Sequence, residues 1–354
     1  MSELELDALG WSPELASSLE PGLVPGRVVA AHRGAAYDVA VGGSRGVVRS
    51  RLPGRLAHFD ELDVAVGDWV GLGEGLVRCV LPRRSALVRS SAGQTSRPQT
   101  LAANVDVVFV VTSLGPDLDL RRLERYLVTV WESGASPELV LTKSDRFEDD
   151  AVASFVAAVE TVAIGVPVWV VSAVTGEGVD ELRARVSSGV TAVLIGSSGV
   201  GKSTLVNRWL GRELMATQET RANDDEGRHT TTHRELLLLP GGGVVIDTPG
   251  IRELQLWDGG GSAAGGALED AFADVEALAA ACRFHDCAHG VEPGCAVQAA
   301  LRDGSLPRER YASWQKLQRE LHSIAVRADA RLRREEKQKW QQRAKDGRSR
   351  ARHR

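Results

Sequence analysis

The sequence predicts a multidomain protein: an N-terminal all-β barrel, a central doubly wound α/β domain and a small C-terminal α-helical domain. Three observations predict it. Five short β-rich runs separated by glycine turns crowd into fewer than 60 residues. A glycine-rich loop, GSSGVGKST, follows an apolar run and precedes a helical pattern within a series of alternating strands and helices. Three of the four cysteines and a histidine fall within 14 residues, 282–295.

Length, composition and charge bound the answer. A chain of 354 residues is long enough for two or three domains, and 43% hydrophobic with 25% charged residues is the balance of a globular chain. The acidic N-terminus, MSELELDALG, has no basic-then-apolar leader pattern, and no apolar run reaches the ~18 residues of a membrane span, so a cytoplasmic protein without membrane association is expected. Residues 331–354 carry eleven Lys/Arg against three Asp/Glu, a net +8, which leaves −12 on the rest of a chain whose total is −4. An acidic body with a basic tail suggests an anionic partner for the tail, or a solubilising terminus.

Residues 1–26, with Pro13, Pro21 and Pro25, read as a flexible arm. The barrel occupies 27–90. Its strands are expected at Arg27–Ala31, Tyr37–Val41, Gly46–Arg51, Asp68–Leu72 and Gly75–Leu81. Its loops carry Arg33, Arg45, Arg49, Arg51, Arg55, Arg83, Arg84 and Arg89, which suits an oligonucleotide-binding barrel or, more plainly, a solvated basic rim. Cys79 reads as a small buried hydrophobe. Polar, Gly/Ser/Pro-containing residues 91–100 read as a linker. Residues 101–258 then alternate: strands at 105–111, 138–141, 166–171, 190–195, 235–239 and 243–246, helices at 119–131, 149–163, 179–186 and from 204. After a flexible Gly/Ala stretch, 259–267, a helical domain spans 268–330. Pro307 suits a first helical turn there, and Tyr311, Trp314, Leu317, Leu321 and Ile324 recur at helical spacing.

The chemistry sits at strand ends, where open α/β sheets bind ligands. Gly196, Gly201, Lys202 and Ser203 fill the G-x-x-x-x-G-K-[ST] pattern; backbone N–H groups of Gly196, Ser197, Ser198, Gly199, Val200, Gly201 and Thr204 would cradle phosphates. Lys202 would reach the β- and γ-phosphates, and Ser203 would ligate Mg²⁺. Thr142, Lys143, Ser144 and Asp145 follow the strand at 138–141. The carboxylate of Asp145 can accept from guanine N1–H and its 2-amino group, donors that adenine lacks. Ser172 and Ala173 follow the strand at 166–171, placed to back the base with a main-chain N–H. Asp247, at the head of Asp247-Thr248-Pro249-Gly250, would hold Mg²⁺ through water, and the Gly250 N–H would sense the γ-phosphate. A threonine of the 227–232 stretch, GRHTTT, assigned to Thr231, would complete the Mg²⁺ shell. These are the five elements of a GTPase in permuted order, with the base-reading elements before the phosphate loop. The water-orienting Gln that often follows such a D-x-x-G is here Ile251. His229 is the candidate that would replace it, orienting water as a neutral imidazole. The alternative is that His229 only packs its loop. Cys282, Cys287, His289 and Cys295 form a closed Cys₃His set, a structural Zn²⁺ site with no open position.

The permuted order together with TKSD (142–145), GSSGVGKSTL (196–205), GRHTTT (227–232), DTPGIRE (247–253), QTLAANVD (99–106) and the knuckle CRFHDCAHGVEPGC (282–295) resembles the ribosome small-subunit-dependent GTPase A family over residues 27–325. The resemblance implies an oligonucleotide-binding (OB) barrel, a permuted P-loop GTPase and a zinc domain. It also implies a monomer that binds the small (30S) ribosomal subunit and its rRNA, acts in late subunit maturation, and hydrolyses GTP to GDP and phosphate with ribosome stimulation. Thr142 stands where many members have Asn. A GTP-regulated RNA-binding switch with incidental slow hydrolysis is the alternative.

Overall fold

In a computed structural model, residues 5–32, 34–53, 63–89, 99–212, 235–247, 263–290 and 292–328 are described, and they fall into two compact units, 1–255 and 256–354.

The first unit begins with a 3₁₀ turn (Leu6–Leu9) and the short helix α1 (Pro13–Ser17), whose Ser12 side chain caps the Leu15 N–H. This stretch, expected to be a flexible arm, is packed instead. Leu9 and Leu15 are buried, and Trp11 lies 4.9 Å from Trp69, ring to ring. Pro13 starts a helix here rather than breaking one, because its missing N–H would have had no helical partner at that position. The apolar pattern spans little more than one turn, too short to register as a period.

Five strands then form the barrel: β1 (Val24–His32), β2 (Ala36–Val41), β3 (Gly46–Arg51), β4 (Trp69–Gly73) and β5 (Leu76–Val80). Strand β1 is long and pairs with β2 on one side and β4 on the other, with a register shift against β2 between Val28 and Ala30. β3 pairs parallel to β5 and β5 pairs with β4, which closes the ring in the order of an OB-type barrel. Val28, Val39, Val70 and Val77 fill the interior with essentially no exposure. Gly26 lies where the chain crosses closely: a Cβ there would come within 2.5 Å of Val39 Cγ1. The hairpin β6 (Ala86–Arg89) and β7 (Gln99–Ala103) follows, so the end of the supposed linker is strand.

The α/β sheet runs β10-β9-β8-β11-β13-β12, with β8 (Val107–Ser113), β9 (Ser136–Thr142), β10 (Val168–Val171), β11 (Thr191–Ile195), β12 (Glu235–Leu238) and β13 (Val244–Asp247). All but β12 are parallel, and each strand residue from 107 to 113 is buried, as expected for a sheet covered on both faces. Helices α2 (Leu120–Glu132), α3 (Asp149–Glu160), α4 (Val179–Ala184) and α5 (Lys202–Leu210) connect the strands. Asp119 caps α2 by accepting from Arg121 and Arg122 N–H. The permutation is visible in space. Within the α/β sheet, the strands that precede the phosphate-loop strand β11 in sequence lie on one side of it, and those that follow lie on the other. β12 also pairs with barrel strand β1 (Ala30↔Glu235), so barrel and α/β sheet are one continuous 11-stranded surface.

Arg27 pins this junction. Its guanidinium is buried among four segments: it donates to Gly67 O at 3.3 Å, Asn104 O at 3.2 Å, Thr191 Oγ1 at 2.8 Å and Leu9 O, and lies over the Trp69 ring at 5.3 Å. Burial pushes its pKa down to about 10, so it stays charged at neutral pH. Arg27→Met removes every donor: Leu9 O, Asn104 O and Thr191 Oγ1 lose this partner in a buried place, and Gly67 O keeps Asn104 Nδ2, at 3.1 Å. The expected cost is about 3 kcal/mol or more, read as a lower urea midpoint at unchanged slope. Arg27→Lys is not expected to restore it, because a point ammonium does not reproduce the planar fork.

The second unit contains α6 (Ala263–Ala271), α7 (Ala273–Ala280), α8 (Ala296–Asp303) and α9 (Arg308–Ala328). The stretch 259–267, expected to be flexible, is helical from Ala263, in keeping with alanine's propensity. Arg310 is buried, pairs with Asp274 at 2.9 Å, donates to Ala271 O and stacks on Phe272 at 4.2 Å. Tyr311, Trp314, Leu317 and Leu321 are the buried stripe of α9. Among the described residues no helix is long and apolar enough to cross a membrane.

Candidate nucleotide site and metal centre

The phosphate loop, 196–201, links the buried strand β11 to α5. Gly196 has φ 141°, and a Cβ there would sit 2.0 Å from Val111 O; Gly199 and Gly201 also have positive φ, at 82° and 101°. The glycines thus let the backbone fold against β8 and turn into the helix. Lys202 Nζ lies across the loop, donating to Gly196 O at 2.8 Å and Ser197 O at 2.6 Å. Ser203 is half-buried and Thr204 exposed on the first turn of α5, while Val200 is buried. The N-terminus of α5 contributes a partial positive charge at the same place.

The loop after β9 is tied to the phosphate loop directly. Thr142 Oγ1 donates to Val200 O at 2.6 Å, and the Leu114 N–H donates to Thr142 O at 3.1 Å. The loop after β8, which supplies Leu114, carries no sequence motif that marks it as part of this site. Lys143 adopts a left-handed conformation, φ 62°, and Ser144 is buried. Asp145 Oδ1 accepts from Ser172 Oγ at 2.6 Å, which joins the loop after β9 to that after β10. Ser172 Oγ in turn accepts from the N–H groups of Val174 and Thr175, at 3.2 and 3.1 Å. The N–H of Ser172 goes to Glu177 O, that of Gly176 to Ser172 O and that of Glu177 to Thr175 Oγ1. Between 172 and 177, only the Ala173 N–H is without a partner among the described residues.

Asp247 ends β13, one residue past the Val193↔Ile246 pair, and so borders the strand that feeds the phosphate loop. His229, Thr231 and Gly250 lie outside the described residues, as do Arg33, Arg55 and residues 331–354.

The barrel rim is less basic than its composition suggested. Arg83 is held by the buried Asp68 (2.7 Å), Arg49 pairs with Asp38 through Nη2 at 3.1 Å, and Arg84 pairs with Asp106 at 3.2 Å. Arg45 and Arg51 are exposed.

In the second unit the donor atoms of Cys282, Cys287, His289 and Cys295 lie within 4.8 Å of one another. Cys282 Sγ is 3.8 Å from Cys295 Sγ and 3.5 Å from His289 Nδ1, with Cys295 Sγ to His289 Nδ1 at 3.6 Å. A tetrahedron with Zn–S about 2.3 Å and Zn–N about 2.0–2.1 Å has edges of about 3.5–3.8 Å, so the Cys282, His289 and Cys295 donors match three of its corners, with Cys287 Sγ within 4.8 Å of them as the fourth. The outer contacts also fit. Gln298 Nε2 donates to His289 O at 2.7 Å, the Gln298 N–H approaches Cys295 Sγ at 3.4 Å, and Trp314 packs against the imidazole at 5.8 Å.

The family pattern of the RsgA GTPase matches residues 80–257. A Streptomyces avermitilis protein named small ribosomal subunit biogenesis GTPase RsgA is 48% identical over 344 residues, 96% of this chain and 90% of the relative. A Streptomyces coelicolor protein of the same name is 48% identical over 353 residues, 97% and 94% of the two chains. Among solved structures, YjeQ from Thermotoga maritima superposes with a TM-score of 0.61 at 27% identity, covering 84% of this chain and 98% of that one. YloQ, described as a circularly permuted GTPase, gives 0.59 at 24% identity over 86% and 96%, a likeness of fold.

Proposed function

The chain belongs to the RsgA GTPase family and is a P-loop GTP hydrolase, and from that premise we propose that it binds the small ribosomal subunit through its rRNA and hydrolyses GTP to GDP and phosphate during late maturation of that subunit. The observation that carries the nucleotide assignment is the pair of short hydrogen bonds, Thr142 to Val200 O and Ser172 to Asp145, both at 2.6 Å. They draw the phosphate loop, the TKSD loop and the loop after β10 into one edge of the sheet despite their reversed order in the chain.

On this reading Asp145 pairs with guanine N1–H and the 2-amino group, and the free Ala173 N–H takes O6. Lys143 packs along the base, and Thr142 and Ser144 hold the loop's shape. The loop N–H groups and Lys202 bind the phosphates; the contacts of Lys202 with two loop carbonyls are exchanged for phosphate oxygens when nucleotide enters. Mg²⁺ is ligated by Ser203 and Thr231, with Asp247 behind a water. Bound Mg²⁺ neutralises charge that develops on the phosphates. The Cys₃His centre holds one structural Zn²⁺. The chain acts as a cytoplasmic monomer, and the exposed Arg45 and Arg51 of the barrel together with the basic tail contact rRNA.

Hydrolysis tests this reading. With Ile251 in place of a water-orienting Gln, the isolated chain is expected to turn over at about 10⁻⁴–10⁻² s⁻¹ and to accelerate at saturating small subunits. Single-turnover assays with and without subunits measure this, and a rate that subunits leave unchanged favours an RNA-binding switch with incidental hydrolysis instead. His229→Ala is expected to abolish stimulation and spare GTP binding. A variant stimulated as strongly as the parent moves the water-orienting role to another group.

A further inference from the structure

Helix α5 carries Lys202 and Ser203 at its start and Arg208 near its end. Its inner face is anchored by the buried Leu205, Val206 and Trp209, the last packed edge-on against Phe109 at 5.9 Å. From that fixed base the exposed Arg208 reaches across to the loop after β10, where its Nη1 donates to Ala173 O at 2.8 Å. The guanidinium lies against Gly176, where a Cβ would come within 2.4 Å of Nη2 and displace it; φ there is +96°, a conformation that favours glycine. Ser172 Oγ ties the same loop to Asp145 at 2.6 Å, and the rest of its bonds lie largely within it. The N–H groups of residues 172 and 174–177 all have partners within it, and among the described residues Arg208 is the side chain from outside the 172–177 turn that bonds to Ala173.

We infer that Arg208 is a positioning residue for base recognition. It clamps the segment that offers the Ala173 N–H to the helix that holds the phosphates, fixing the span between base and phosphate contacts. The inference rests on the guanine reading given above. Arg208 touches no nucleotide atom on this account; it acts through Ala173. Its loss should therefore be felt only by a nucleotide whose base has an acceptor at position 6.

The test compares GDP with 2-aminopurine riboside 5′-diphosphate, which keeps the 2-amino group but lacks both the 6-oxo acceptor and the hydrogen on N1, so it binds more weakly overall and is read as its ratio between parent and variant. In the full chain, Arg208→Ala is expected to weaken GDP about 3- to 10-fold, the scale of one exposed charge-assisted hydrogen bond. The 2-aminopurine nucleotide should bind parent and variant alike. Arg208→Lys should recover part of the loss, since one ammonium donor suffices for a carbonyl. Equal weakening of both nucleotides would assign Arg208 to the helix or the phosphate site and overturn the inference, as would unchanged GDP affinity. If the parent chain itself fails to prefer GDP over the 2-aminopurine nucleotide, the assignment of Ala173 to O6 fails and the clamp falls with it.

Discussion

Asp145→Asn is expected to exchange the base preference of the chain: GTP and GDP affinity should fall by about 10⁴-fold, and xanthine nucleotides should become ligands. The structure explains why this substitution is clean. Asp145 Oδ1 is already engaged by the Ser172 hydroxyl at 2.6 Å. An asparagine keeps that anchor by accepting with its own Oδ1, so the loop stays closed and the amide Nδ2 faces the base. Two donors of guanine, N1–H and the 2-amino group, then meet a donor. One bond is lost and a repulsive pair is created in a site built to be polar, where an unpaired group costs about 1–3 kcal/mol. Xanthine presents a 2-oxo acceptor in place of the amino donor and pairs with the new amide. Titration of a fluorescent GDP analogue, with competition by xanthosine diphosphate, measures both arms. Unchanged GDP affinity would remove Asp145 from the base site and leave the TKSD loop as a mere strand-to-helix connection.

What was readable from sequence follows the length scale over which each feature is encoded. The phosphate loop requires Gly196, Gly201, Lys202 and Ser203 at fixed spacing because a phosphate is gripped by consecutive backbone N–H groups, so its chemistry is contiguous and legible. The knuckle is legible for the same reason: four ligands within 14 residues. The parallel strands announce themselves as unbroken apolar runs because both of their faces are covered. By contrast, the pairing of Ala30 with Glu235 joins segments about 200 residues apart, and nothing local in either strand specifies it. Arg27 reads as the first residue of a strand; only the convergence of Leu9, Gly67, Asn104 and Thr191 makes it a buried linchpin. The N-terminal residues pack through Leu9, Trp11 and Leu15, too few for any periodicity to show. Arginine content likewise misled at the rim, because Asp38, Asp68 and Asp106, which engage Arg49, Arg83 and Arg84, are distant enough in sequence to hide the pairing.

Removal of the Zn²⁺ proposed at the Cys₃His centre is expected to unfold the second unit while nucleotide binding by the first persists. The described residues of 282–295 form no regular helix or strand, and Arg283, Phe284, His285, Asp286, Ala288 and Gly290 are exposed, so little apolar burial among them holds the segment in place. His289 adopts φ 55°, an unfavourable conformation that its role as a ligand would hold. Cys295 is buried and caps α8 by accepting from the Gln298 N–H, so the centre fixes the start of that helix as well. Against the second face of the site, Tyr311 and Trp314 stack at 5.6 Å, and Trp314 Nε1 donates to Glu276 at 2.8 Å, linking α9 to α7 beside the knuckle. Without the ion, these contacts would have to order the loop alone. Metal binding contributes about 10–16 kcal/mol of apparent free energy in small zinc modules, larger than the whole stability of many domains. Chelation under mild denaturant should therefore abolish the helical circular dichroism of residues 263–328 and the near-ultraviolet signal of Trp314, with GDP titration little changed. Cys295→Ala should reproduce this without chelator. Metal analysis of freshly purified protein should return one zinc per chain. A chain that contains no zinc, or one whose second unit keeps its fold after complete chelation, would show that the four side chains cluster by packing alone.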